Sequence, residues 1–196
     1  MSYPPKIHQN STQHQLLEVI KSYPLATLIS INGSEPIITQ VPLVWNGSKL
    51  IGHMDVHNPQ AAFLKNNHTV TAVFSGPQCY ISPSIYTTTQ LPTWNYIKVH
   101  VKGNVTAVSK SEDVKQSLIY MTHSLEEPEH KYVLDPDNEQ MTKYLPYIHA
   151  FEIDVTSWEG TFKLSQNRSK TDAELAKQEL IKKNQKCIEA FISSLF

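Results

Sequence analysis

Apolar residues recur at two periods along this chain, and the switches between them mark its elements. Leu16, Leu17 and Ile20 repeat at helical spacing after Thr12-x-x-Gln15, a capping-box pattern, and Pro24 ends the run. Residues 25–54 then read as three antiparallel strands, because Asn32-Gly33 and Asn46-Gly47 each sit between β-rich runs and tolerate the positive φ of a tight hairpin. Pro42 lacks an N–H, so the middle strand is expected to carry an edge or a bulge there. Asn58-Pro59 opens a short helix containing Ala61, Ala62, Phe63 and Leu64, and "TVTAVF" alternates as a strand after it. Clean alternation returns in "NYIKVHVKGNV", with Ile97, Val99 and Val101 on one face and Lys98, His100 and Lys102 on the other.

Helical spacing resumes near Ser111, where Val114, Leu118, Met121 and Leu125 form a stripe that runs until Pro128. Residues 128–147 are polar and read as loop with about one helical turn. Phe151, Ile153 and Val155 then alternate with Glu152, Asp154 and Thr156 in a further strand. A last helix is predicted from Thr171-x-x-Glu174, with Ile181, Ile188, Phe191, Ile192 and Leu195 on one stripe. Strands follow strands through short turns, without regular βαβ alternation. That order predicts a mainly β fold of the α+β kind, an antiparallel sheet closed into a small barrel with helices packed outside. The 196 residues suit one domain over 1–170 and an added C-terminal helix over 171–196.

Composition narrows this only a little. Hydrophobic content of 40% and charged content of 18% indicate a globular chain, and no apolar run approaches the ~18 residues that span a bilayer. The opening "MSYPPKIHQN" has neither a basic nor an apolar leader segment, and Cys79 and Cys187 form no CxxC pair, so a reduced, cytoplasmic setting is expected. A net charge of −1 argues against strong nonspecific affinity for nucleic acid. The charge is uneven, however. Residues 112–139 hold eight acids against Lys115 and Lys131, while residues 163–186 hold seven basic side chains against Asp172, Glu174 and Glu179. Such a run reads as the solvated face of a helix before it reads as a nucleic-acid patch. Arg168 is the sole arginine.

The glycines form no GxGxxG, P-loop or GxSxG motif, which leaves Rossmann, NTPase and α/β-hydrolase chemistry without support. His53 and His57 stand four apart, yet His53 continues a strand, Pro59 follows soon and no third ligand is near, so ordinary polar roles outweigh a metal site. His100 on its alternating strand reads as a partnered or exposed side chain before a catalyst. Two stretches carry more chemistry. "WEGTFKLSQNRS" ends a strand with Lys163, Ser165, Gln166, Asn167 and Arg168, a set that fits either a phosphate or a solvated loop. "YISPSIYTTTQLPTWNYIKVHVKG" puts aromatic planes beside hydrogen-bonding groups, as a flat polar ligand with a charged tail requires, or as a loop packed on a barrel or a partner requires.

"ATLIS", "GHMDVHNPQ", "GPQCYISPSIY", "PTWNYIKVHVKG" and "KLSQNRS" follow one another in an order and spacing that resemble PaiB-like proteins. These are FMN-binding split-barrel proteins described as negative transcriptional regulators and related to pyridoxamine phosphate oxidases. The resemblance runs to about residue 170 and implies a homodimer of split β-barrels with FMN in grooves at the interface. It places Thr39, Gln40 and Val41 at the isoalloxazine edge. It places His53, Met54, His57, Asn58 and Gln60 where the oxidases grip the flavin phosphate with Ser, Arg and Lys. This chain departs there, since residues 57–60 bring no permanent cation, so a helix N-terminus near Pro59, or Lys98, Lys163 or Arg168, is expected to replace it. Tyr80, Ile81 and Ser82 with Trp94, Asn95 and Tyr96 form the walls of the groove in this reading, and Gln166 and Asn167 accompany Arg168. Two functions stay open: a flavin-dependent regulator that contacts DNA directly or indirectly, and a flavin-dependent oxidoreductase of a small metabolite. A flavin reservoir or purely structural dimer is a third, blander option. No membrane partner is expected.

Overall fold

A computed structural model describes residues 4–185. The elements are β1 (Gln9–Asn10), α1 (Gln13–Ser22), β2 (Leu25–Asn32), β3 (Glu35–Pro42), β4 (Val44–Trp45), β5 (Leu50–Asp55), β6 (Thr69–Ile81), β7 (Thr93–Val108), α2 (Ser111–Leu125), α3 (Glu139–Tyr144), β8 (Ile148–Lys163) and α4 (Lys170–Asn184). The strands form one mainly antiparallel sheet of order β3-β2-β6-β7-β8-β5-β4, with β1 paired to β8. The described chain divides into two compact units, Ser11–Ser75 with Val99–Glu159, and residues 4–10 with Gly76–Lys98 and residues 160–185.

In the larger unit β2 and β3 form a hairpin in which Asn32 pairs with Glu35, so the two-residue loop is Gly33-Ser34, one residue later than the Asn-Gly expectation. Gly33 has φ of 61° and Ser34 does not share it, the pattern of a turn with glycine at its first central position. The inward positions Ala26, Leu28, Ser30 and Val41 are buried, and β3 lies at the end of the sheet, as Pro42 requires. Just past Pro42 the Leu43 N–H donates to Pro24 O at 2.9 Å, one step further in the same register, and the chain then passes to β4, which pairs with β5. Asn46 holds the next turn by accepting from the Ser48 and Lys49 N–H groups at 3.0 and 2.8 Å. β3 also contacts β5, so the path curls back toward itself. The alternation in β7 is confirmed: Val99, Val101 and Val105 are buried. α1 buries Leu16, Val19 and Ile20, although the Thr12 side chain makes no capping hydrogen bond. α2 buries Val114 and Met121, and Met121 packs with Val44 and Ile51. Gly103 is required by close approach: a Cβ there would lie 2.5 Å from the Asp154 carbonyl oxygen.

In the smaller unit the end of β8 pairs with β1, joining Gln9 to Thr161. Helix α4 is capped by Ser169, whose hydroxyl accepts from the Asp172 N–H at 3.1 Å, and not by Thr171. Its buried face is Asp172, Ala176 and Leu180, with Ala176 and Leu180 clustered on Cys79 and Ile81 and flanked by Ile85, Tyr86 and Leu164. Ile181, expected on the apolar stripe, is exposed. Ile188, Phe191, Ile192 and Leu195 lie outside the described residues. No described helix is long and apolar enough to cross a membrane.

Candidate functional site

The pleat of β7 divides the aromatic segment. Successive side chains point to opposite faces, so Trp94, Tyr96 and Lys98 share one face and Asn95 and Ile97 the other. Tyr80 meets Trp94 on the first face with ring centroids 6.4 Å apart at 59°, and each residue is 49% exposed. Two large aromatic side chains left half in water form a ready surface for a flat ring. Ile81 is fully buried in the α4 cluster, and Ser82 caps the short 3-10 helix Pro83–Ile85 by accepting from the Ser84 N–H.

A tight turn after β8 builds the polar side of the smaller unit. Ser165 is buried at φ of 63°, a left-handed conformation unusual for a residue with a Cβ, and the Arg168 N–H donates to its carbonyl at 3.0 Å. The Ser165 hydroxyl donates to Asn95 Oδ1 at 3.1 Å and pairs with the Tyr86 hydroxyl at 3.1 Å. The Arg168 guanidinium lies 5.9 Å from the Tyr86 ring centre and donates to Gln90 Oε1. Gln90 donates to Thr88 Oγ1 at 2.8 Å, and Thr88 donates to Asp172 Oδ2 at 2.6 Å. Thr87 gives Asp172 Oδ1 both its N–H, at 2.7 Å, and its hydroxyl, at 2.8 Å. The Thr88 and Thr87 donors hold the Asp172 carboxyl below its ordinary range. Asp172 is thus fully buried yet well satisfied, and it ties the threonine run to α4. Gln166 is committed locally: its Oε1 accepts from the Leu164 N–H at 2.8 Å, and its amide donates to Phe162 O. Lys163 ends β8, and Asn167 is exposed within the turn.

The remaining predicted residues lie in the larger unit. Thr39 and Asn58 approach through their side chains at 3.3 Å, while Asn58 Oδ1 accepts from the Gln60 N–H at 2.9 Å. Gln60 is fully buried; its amide donates to Ser30 Oγ at 2.9 Å and to the Leu28 and Ile37 carbonyls at 3.2 Å, locking the hairpin to the segment at Pro59. The Ala61 N–H is taken by Asn58 O, so the N–H groups near Pro59 are already used and this short helix end offers no anion site. Gln40 accepts from Thr27 at 2.9 Å, and Val41 and Met54 are buried. His57 is exposed, pairs with Asp55 at 2.8 Å and stacks on Tyr147 at 6.3 Å. The His57 N–H and ring hold the Asp55 carboxyl below its usual range. Burial lowers the His53 imidazole, and its Nδ1 has no hydrogen-bond partner. No group of three or more His, Cys, Asp or Glu is placed to hold a metal among the described residues.

The mainly antiparallel sheet with its outer helices is a split-barrel fold of the kind that flavin-binding proteins use. The chain belongs to the family described as "Putative FMN-binding domain", which matches residues 2–157. It is 28% identical over 175 residues to the protease synthase and sporulation protein PAI 2 of Bacillus subtilis (strain 168), covering 87% of this chain and 84% of that one. Its fold is similar to that of the FAD and heme binding protein from Mycobacterium smegmatis, at a TM-score of 0.68 and 13% identity over 86% of this chain and 80% of that one. It is also similar to that of the flavocytochrome Anf3 from Azotobacter vinelandii, at a TM-score of 0.62 and 12% identity over 80% of this chain and 69% of that one.

FMN is the cofactor that this family brings. Two observations in the smaller unit fit it: the half-exposed Tyr80–Trp94 pair offers a ring surface, and Arg168 keeps a buried Nε without a partner. Sequence reasoning missed Tyr86, Gln90 and Asp172. Asp172 alone carried a local signal, since Ser169-x-x-Asp172 is a capping pattern that overlaps the Thr171-x-x-Glu174 box.

Proposed function

We propose that this protein is a flavin-dependent negative transcriptional regulator that works in the cytoplasm as a homodimer. The carrying observation is the Tyr80–Trp94 pair, 49% exposed on each side, in a chain related to a sporulation protein over 175 residues. In this reading Tyr80 and Trp94 bind the ring face. Lys98, on the Trp94 face of β7, and Arg168 Nε hold the phosphate end. When bound, FMN supplies reversible one- or two-electron redox chemistry. The residues themselves orient the group and limit water at one side of it.

A second copy is the natural occupant of the outer face of the β2–β3 hairpin. There Ile29 pairs with Ile38, Leu25 with Pro42 and Ile31 with Pro36, and Leu25, Ile31 and Ile38 are at least half exposed. DNA is contacted directly through the lysines of α4 or indirectly through a partner. Gel-shift titration of a promoter fragment with FMN-loaded and FMN-free protein, over a series of salt concentrations, tests the regulatory step. A specific band that depends on flavin state supports it, and no specific band in either state at moderate salt removes direct DNA binding. The half-exposed aromatic face also favours a second reading, a flavin-dependent oxidoreductase whose reactant reaches the ring from solvent. Steady turnover of a reduced pyridine nucleotide by the loaded protein would favour that reading.

A further inference from the structure

The face of β7 opposite Trp94 carries a separate cavity. It has a volume of about 400 Å³ and lies between β7, the turn after β8 and α4, with Ile97, Leu164, Ala173 and Leu180 as apolar walls. Asn95 lines it, is 1% exposed, and leaves Nδ2 without a hydrogen-bond partner. Its Oδ1 accepts from the Ser165 hydroxyl at 3.1 Å, and Ser165 is itself paired with Tyr86. Gln166 also lines the cavity, but its amide is spent on Phe162 O and its oxygen on the Leu164 N–H. The wall of an otherwise apolar space therefore holds one buried amide whose Nδ2 has no partner. An unpaired buried N–H is unfavourable and rare in native folds, which marks this as a place where an acceptor belongs.

The rim has a different character. Lys170 and Lys177 stand on α4 with Glu174, which already pairs with Lys177 at 3.2 Å, so one net positive charge remains at the mouth. An uncharged amide deep inside favours a neutral carbonyl over a carboxylate, whose burial without a cation is costly. The cations at the mouth favour an anionic group left in water.

We infer that this cavity is a second small-molecule site, distinct from the aromatic face, which takes an apolar molecule with a neutral carbonyl at one end and an anionic group at the other, as oxo acids and acylated amino acids have. Asn95 Nδ2 donates to the carbonyl, the aliphatic walls enclose the body, and Lys170 and Lys177 meet the anion. Because α4 forms one wall and is held to the threonine run through Asp172, occupancy braces that helix.

Calorimetric titration of the full-length protein with benzoylpropionate, a phenyl ketone with a short carboxylate tail, tests the site. Saturable binding of one molecule per chain is expected. Phenylbutyrate, which lacks only the carbonyl, should bind about tenfold more weakly, and Asn95→Leu should remove the difference between the two compounds. Lys170→Ala combined with Lys177→Ala should weaken both several-fold and flatten the salt dependence. Saturating benzoylpropionate should leave the FMN titration of the parent protein unchanged, since Asn95 and Trp94 lie on opposite faces of β7. Absence of saturable binding up to millimolar ligand, or equal affinity for the ketone and phenylbutyrate, would overturn the inference. Competition between benzoylpropionate and FMN would overturn it differently, by placing the two ligands in one site. The comparison of ligands needs no variant, so a misfolded mutant does not decide the outcome.

Discussion

Asp172 accepts three hydrogen bonds from Thr87 and Thr88 while buried at the start of α4, so its charged form contributes to the acid stability of that helix. Its folded-state carboxyl lies below the ordinary value of 3.8, chiefly because Thr88 and then the Thr87 N–H bond to its charged form. The sign follows from linkage: the contribution is fully present above the unfolded-chain value and is lost as pH falls through the lower folded value. Asp172→Asn is therefore expected to lower Tm by roughly 5 °C at pH 7, and the gap to the parent should close as pH drops below about 4. A gap independent of pH would mean that packing, not charge, carries the effect. Arg168 makes a second case. Its Nε has no partner, so Arg168→Ala should weaken FMN about 10- to 100-fold by fluorescence quenching, and unchanged affinity would remove it from the phosphate end. Neither tie was legible in the sequence as a contact. Asp172 and Thr87 are 85 residues apart, and side-chain bonds of that range leave no periodic trace. The polar turn itself was legible, because "KLSQNR" concentrates donors, but the left-handed Ser165 at its centre carries no glycine or asparagine to announce it.

At the scale of elements, period and turn chemistry located nearly every strand and helix, and the errors have physical causes. The hairpin loop slipped by one residue because Gly33 alone supplies the positive φ, which makes Gly33-Ser34 as good a turn as Asn32-Gly33. The face of α4 was misread because its buried residues include Ala176 and an aspartate, which give little hydrophobic signal, while Ile181 stands in solvent. The pleat also separates expected site residues. Trp94, Asn95 and Tyr96 are neighbours in sequence, but the pleat sends Asn95 to the opposite face. Gln60, expected at the flavin, braces the hairpin from beneath through its amide nitrogen and keeps its Oε1 without a partner. Gly103 gives the element-scale prediction. A methyl group there meets the Asp154 carbonyl at 2.5 Å, and neither backbone can yield cheaply. Gly103→Ala should cost roughly 2–3 kcal/mol in chemical denaturation, whereas an effect under about 0.5 kcal/mol would mean that β7 and β8 can separate locally.

For the whole molecule, family membership brings the cofactor class, and assembly is tested at the β2–β3 hairpin. The outer face of the β2–β3 hairpin is the apolar surface that a second copy would cover. Ile38→Lys, at 56% exposure, should leave the fold intact by circular dichroism and shift light scattering from dimer to monomer. A dimer of undiminished stability would place the interface elsewhere. The central claim is that this barrel lodges FMN on the face bearing Tyr80 and Trp94. Its most direct measurement is a titration of the flavin-free full-length protein with FMN, followed by flavin fluorescence, for the parent and for Trp94→Ala. Saturable quenching at one FMN per chain in the parent, weakened at least tenfold by Trp94→Ala, is the predicted result. No quenching by the parent protein, or identical curves for the two, would contradict it.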